Sequence, residues 1–187
     1  DFVIDNVKSA EIDPSTFAHV ILFIFTNLSA ETVIKVVVVV ADKANPSSLG
    51  QQYSPGNFAH NLWFNDDPNY LYTTDEITNG FIGEYDISDP SNIVETDRIQ
   101  SSPGMDVIPH NVHFLDDYII TSYYRDGVTV HDVSNKGNMI EVGNFDTAAK
   151  FSGDGFNGCW GVYPWLPSGN IIASNIQNGL HILGVTY

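Results

Sequence analysis

An all-β fold is expected, a β-propeller built of four-stranded antiparallel blades, with about four blades in this chain. Three features of the sequence lead there. A motif recurs at 50-residue spacing, as Phe58-Ala59-His60-Asn61, then Ile108-Pro109-His110-Asn111, then Trp160-Gly161-Val162-Tyr163, where tryptophan stands in place of the His-Asn pair. Between these points the apolar runs are short, β-branched or aromatic, and broken by turn residues at intervals of about ten. Nowhere is a helical period sustained.

Taken in order, residues 1–8 contain the apolar segment Phe2 to Val7, expected as a ring-closing strand, and the repeat copies follow at 9–52, 53–102, 103–150 and 151–187. The first copy is faint: Phe17-Ala18-His19 matches Phe58-Ala59-His60, and Asp42 to Leu49 matches Asp86 to Ile93. Its run Val36 to Val40 is five valines where other copies alternate apolar with polar, and reads as an unusually buried third strand. In the copy at 103–150, Asn111 to Leu115 reads as a first strand and Asp116-Asp117 as a tight turn. Tyr118 to Tyr123 is a second strand, Arg125-Asp126-Gly127 a turn, Val128 to Val133 a third strand and Met139 to Phe145 a fourth. The last copy stops at its third strand, Leu180 to Val185, which Phe2 to Val7 would complete. A single four-stranded unit cannot bury both faces, so the copies must pack face to face.

Composition narrows the function. With 43% hydrophobic and 16% charged residues the 187-residue chain has a core to bury. Seven Lys and Arg against 23 Asp and Glu give a net charge of −16, which disfavours nucleic acid and anionic membrane surfaces as partners. The longest apolar stretches, Val20 to Phe25 and Val36 to Ala41, fall far short of the roughly 20 residues of a transmembrane helix. Cys159 is the one cysteine, which rules out an internal disulfide and a cysteine-based zinc cluster, and reads as a small buried hydrophobe. No Gly-x-Ser-x-Gly elbow, phosphate loop or dinucleotide fingerprint is present.

The runs Tyr85-Asp86-Ile87-Ser88-Asp89-Pro90, Ser122-Tyr123-Tyr124-Arg125-Asp126-Gly127, Val130-His131-Asp132-Val133-Ser134 and Trp160 to Asn170 resemble the extracellular LVIVD-repeat propellers, also called choice-of-anchor B proteins. The resemblance covers about Phe58 to Tyr187, while Asp1 to Gly50 matches poorly. It implies a secreted or surface-anchored bacterial protein, a ring of more than four blades, and this chain as the C-terminal portion of it.

Meander topology decides which residues share a rim. When strands run alternately down and up, the loop between second and third strands lies at the same end as the start of each first strand. His19, His60, His110 and Trp160 sit at those starts. The loops beside them are Asp75 to Gly80, Tyr124 to Gly127 and Asn175 to Gly179. The Asp66-Asp67 and Asp116-Asp117 turns belong to the opposite end.

Several candidates follow. His60, His110 and His19 could ligate a transition metal, since neutral imidazole is a common donor; the competing role, favoured because Trp160 interrupts the series, is a structural histidine bonded to a neighbouring blade's backbone. Asn61 and Asn111 are expected to satisfy turn backbone groups. Asp75 and Glu76 offer hard oxygen donors for calcium, although no twelve-residue calcium loop surrounds them. Tyr123, Tyr124, Arg125 and Trp160 offer stacking faces and one of two arginines, suited to a sugar ring or an anionic group, with Asp75 or Asp126 as the ordinary partner of Arg125. The expected function is an extracellular or surface-anchored scaffold that binds a glycan, a protein segment, a small ligand or an ion at this rim. The alternative is a metal-dependent enzyme, hydrolase or oxidoreductase, with His60 and His110 as ligands of a divalent ion and Glu76 positioning water or substrate.

Overall fold

The computed structural model describes the backbone of residues 19–26, 32–39, 47–102 and 104–185, and side chains from Leu49 onward. Fourteen strands and no helix occur among the described residues. They form four antiparallel meanders. The first holds β1 (His19–Thr26), β2 (Thr32–Val39) and β3 (Ser47–Tyr53); the second β4 (Ala59–Phe64), β5 (Tyr70–Asp75), β6 (Ile82–Asp86) and β7 (Val94–Ile99). The third holds β8 (Asn111–Leu115), β9 (Tyr118–Ser122), β10 (Val128–Asp132) and β11 (Ile140–Phe145); the fourth β12 (Cys159–Tyr163), β13 (Ile171–Asn175) and β14 (Gly179–Leu183). Sequence order is spatial order in every sheet, as short hairpin connections dictate. The first strands, β4, β8 and β12, pack on one another, which makes them the inner edges of successive sheets. Among the described residues the four sheets do not close into a ring.

Three expectations need correction or fall outside the description. Four strands per blade holds for the two middle sheets, whereas the outer two have three described strands each. Val36 to Val39 of the valine run belong to β2, a second strand rather than a third, while Val40 lies outside the described residues; hydrogen-bonded on both edges, to β1 and β3, β2 is a middle strand, where a β-branched run without polar alternation fits. Phe2 to Val7 lies outside the described residues.

Strand periodicity explains how each middle sheet feeds two cores. On β9, Ile119 faces a cluster with Tyr72, Ile82, Val112, Phe114 and Tyr123, while Ile120 faces the other way, onto Val128, Val162, Ile171 and Ala173. On β5, Tyr72 joins the first cluster and Leu71 packs on the opposite side with Ala59, Tyr85 and Ile87. Each wholly buried side chain of this size contributes roughly 1.5–3 kcal/mol, so face-to-face packing of sheets, not any single sheet, holds the fold. Trp63 on β4 stacks on His113 of β8 and on Trp165, just past β12, with centroids 4.8 Å apart, His113 and Trp165 meet at a tilt at 5.1 Å, and the Trp165 indole NH donates to the Phe114 carbonyl at 3.2 Å.

The Asp-x-Ser turns recur for a local reason. Asp86 accepts from the Ser88 amide at 2.8 Å and Asp132 from the Ser134 amide at 2.9 Å, so a side chain closes the turn after the third strand of each middle sheet. They lie at the opposite end from His60 and His110.

Candidate functional site

His60 is placed by a break in pairing. Ala59 pairs with Asp75 and Asn61 with Thr74, leaving His60 as the extra residue of a β-bulge, a device that re-aims a side chain. Trp160 occupies the same device in the fourth sheet, between Cys159, paired with Asn175, and Gly161, paired with Ser174. His110 precedes β8, and its amide donates to the Ser122 carbonyl at 2.9 Å. Glu76 follows β5 directly and enters the loop beside them.

These residues meet. The His60 and His110 rings stack with centroids 4.5 Å apart and planes 24° from parallel. His60 Nδ1 lies 2.9 Å from Glu76 Oε2, and His110 Nε2 lies 3.6 Å from Glu76 Oε1. The Tyr124 hydroxyl donates to Glu76 Oε1 at 2.5 Å. Tyr124 leans on His110 at 5.0 Å and meets Phe156 edge-on at 5.1 Å, while Trp160 stacks over His110 at 6.0 Å. His110 is buried, His60 and Glu76 are partly exposed, and Trp160 and Phe156 are 56% and 58% exposed, which sets a polar cluster beside two open aromatic rings.

The tautomer of His110 follows from its partner. Its Nδ1 bonds the Trp160 carbonyl oxygen, which can only accept, so Nδ1 carries the proton and Nε2 presents a lone pair toward Glu76. Burial, with the neighbouring His60 ring, holds the His110 imidazole below its ordinary value of 6.5 and so keeps it neutral. For Glu76, burial pushes the carboxyl up, but hydrogen bonds from His60 and Tyr124 and the nearness of the two imidazoles outweigh it and leave the net value below the usual 4.5. Burial and the adjoining Glu76 carboxylate raise the Tyr124 phenol, which stays a donor.

The remaining sequence candidates divide. Asp75 is buried and its carboxylate is spent on the chain: it accepts from the Ser54 hydroxyl, the Gly56 amide at 2.6 Å and the Phe58 amide at 3.2 Å. Tyr123 points inward, wholly buried, with its hydroxyl donating to the Gly80 carbonyl at 3.0 Å. Asn61 accepts from the Val112 amide at 2.9 Å and Asn111 donates to the Trp160 carbonyl at 3.5 Å. Both therefore bond the next sheet's backbone rather than a turn. Arg125 pairs with neither Asp75 nor Asp126; it donates to Asn157 Oδ1 at 2.6 and 3.2 Å and to the Ser152 carbonyl at 2.8 Å, clamping the link before β12. His19 opens β1, and its side chain lies outside the description. Cys159 is buried and its thiol is pushed up to about 12 by burial, as a small hydrophobe should be. Phe156 was not singled out from sequence, since a lone aromatic in a Gly-rich link carries no periodic signal.

No family model and no curated protein matches the chain. Solved structures do match, among them the following two. A 6-phosphogluconolactonase-like protein of Bacteroides fragilis, of propeller-like fold, aligns with a TM-score of 0.66 at 13% identity, over 89% of this chain and 48% of the other. The computationally designed protein Ika8 aligns with a TM-score of 0.50 at 14% identity, over 88% of this chain and 45% of the other. The chain thus spans about half the length of each. At such identities the likeness defines a class only: an all-β protein of propeller type with antiparallel blades.

Proposed function

We propose that the chain is part of an extracellular or cell-surface propeller of the LVIVD-repeat kind, acting as a binding module for a glycan at the rim formed by His60, Glu76, His110, Tyr124, Phe156 and Trp160. One observation carries the reading: Trp160, more than half exposed, lies over His110 at the margin of a floor of two imidazoles and a carboxylate. An open indole face offers the apolar side of a sugar ring a flat contact, and the Glu76 and His60 side chains beneath offer its hydroxyls donors and acceptors. The location outside a bacterial cell rests on the sequence resemblance.

A glycan array and titrations with wild type and Trp160→Ala test this. Wild type should bind an oligosaccharide, and removal of the exposed indole should weaken that binding about ten-fold, or about 1.4 kcal/mol, with the fold intact. Wild type that binds no glycan, or a variant that binds as well, would contradict it. The metal-dependent enzyme remains the second reading, favoured by the convergence of His60, Glu76 and His110; it adds turnover of the bound sugar, abolished by Glu76→Gln.

A further inference from the structure

The rim has one feature that sugar binding does not require. His110 presents an unprotonated Nε2 to Glu76 Oε1 across 3.6 Å, so two lone-pair groups face each other beyond hydrogen-bond length. His60 adds a nitrogen on the other carboxylate oxygen, and one ligand atom from each of the three residues lies within 4.8 Å of the other two. Resting on the binding reading above, we infer that His60, Glu76 and His110 form a three-ligand site for a single divalent transition-metal ion of the zinc class, with its remaining position open to the rim.

The donors fit in kind and in spacing. Zinc bonds of about 2.0–2.2 Å in tetrahedral geometry separate neighbouring donors by roughly 3.4 Å; here His60 Nδ1 lies 2.9 Å from Glu76 Oε2, His110 Nε2 lies 3.6 Å from Oε1 of the same carboxylate, and one donor from each residue falls within 4.8 Å of the others. Two imidazoles and one carboxylate suit a transition ion, whereas calcium takes six to eight oxygens, and Asp75, the other carboxylate expected here, is spent on Ser54, Gly56 and Phe58. The bonds that would orient these ligands are already in place: the Trp160 carbonyl accepts the Nδ1 proton of His110, and the Tyr124 hydroxyl donates to Glu76. An ion here would sit beside Trp160 and could take a sugar hydroxyl as its fourth ligand, which assigns the recognition of that hydroxyl to the metal and that of the ring face to the indole.

Untagged, metal-stripped chain titrated with Co²⁺, followed by displacement with Zn²⁺, decides the matter. The expected result is one equivalent bound, with ligand-field absorption of a four- or five-coordinate ion, displaced by Zn²⁺ and not by Ca²⁺. His60→Ala, a partly exposed position whose loss leaves the fold intact by circular dichroism, should weaken cobalt binding about 100-fold, and Glu76→Gln likewise; Tyr124→Phe should cost about ten-fold. Absence of cobalt binding, or binding that these substitutions leave unchanged, overturns the site. Repeating the glycan titration in chelator separates the two proposals: glycan bound without any cobalt site removes the ion alone, and one equivalent of cobalt without any glycan removes the sugar alone.

Discussion

Asp75 and Glu76 are consecutive carboxylates with opposite duties. Asp75 is the last residue of β5 and turns into the chain, where three donors hold it; Glu76 faces the rim between two imidazoles. Asp75→Ala strands the Ser54 hydroxyl and the Gly56 and Phe58 amides, so it should cost about 3 kcal/mol in denaturant unfolding, whereas Glu76→Gln should stay within about 1 kcal/mol. Sequence could not separate the two, nor Tyr123 from Tyr124, because adjacency fixes position and not direction. Both are buried, but Tyr123 bonds the Gly80 carbonyl in the core while Tyr124, at φ +32° just past the end of β9, carries its hydroxyl to Glu76 beneath the rim. His60, His110 and Trp160 were legible because equal spacing in a repeat implies equal placement. His110 also has a pH signature. Its folded value lies below 6.5, so the neutral ring is the native form. Its contribution to stability is complete above pH 6.5 and is lost as pH falls through the folded value. NMR titration of metal-free protein should show this ring titrating below 6.5, and a higher value would contradict the burial described.

At the scale of elements, the inner strands do the positioning, through bulges that sequence spacing does not announce. The two bulges at His60 and Trp160 are equivalent, and the loops that back them leave little space. Gly158 has φ +93°, and a Cβ there would fall 2.2 Å from the Tyr124 carbonyl, whose oxygen accepts the Cys159 amide. Gly158→Ala therefore combines strain with a backbone clash and should destabilise by about 2 kcal/mol or more, read as a lower melting temperature. Because it displaces Tyr124, it should also weaken rim binding. The β9–β11 strands were readable almost to the residue, since turn chemistry and β-branched runs alternate cleanly there. The first sheet was not, because a continuous valine run carries no phase to say which strand it is.

Over the whole molecule, four sheets in sequence order turn residues that are far apart in the chain into neighbours. The resulting arc carries a net charge of −16, and self-repulsion of that size should be relieved by salt. Raising NaCl from 20 to 200 mM, about a threefold shortening of the Debye length, should raise the melting temperature; a fall would mean that attractive ion pairs dominate. Convergence itself is open to direct measurement. In NMR spectra of the assigned protein, ring protons of His60 and His110 should give nuclear Overhauser cross-peaks, as stacked rings with centroids 4.5 Å apart must. Their absence, with both rings assigned and each showing contacts only within its own sheet, would contradict the shared rim.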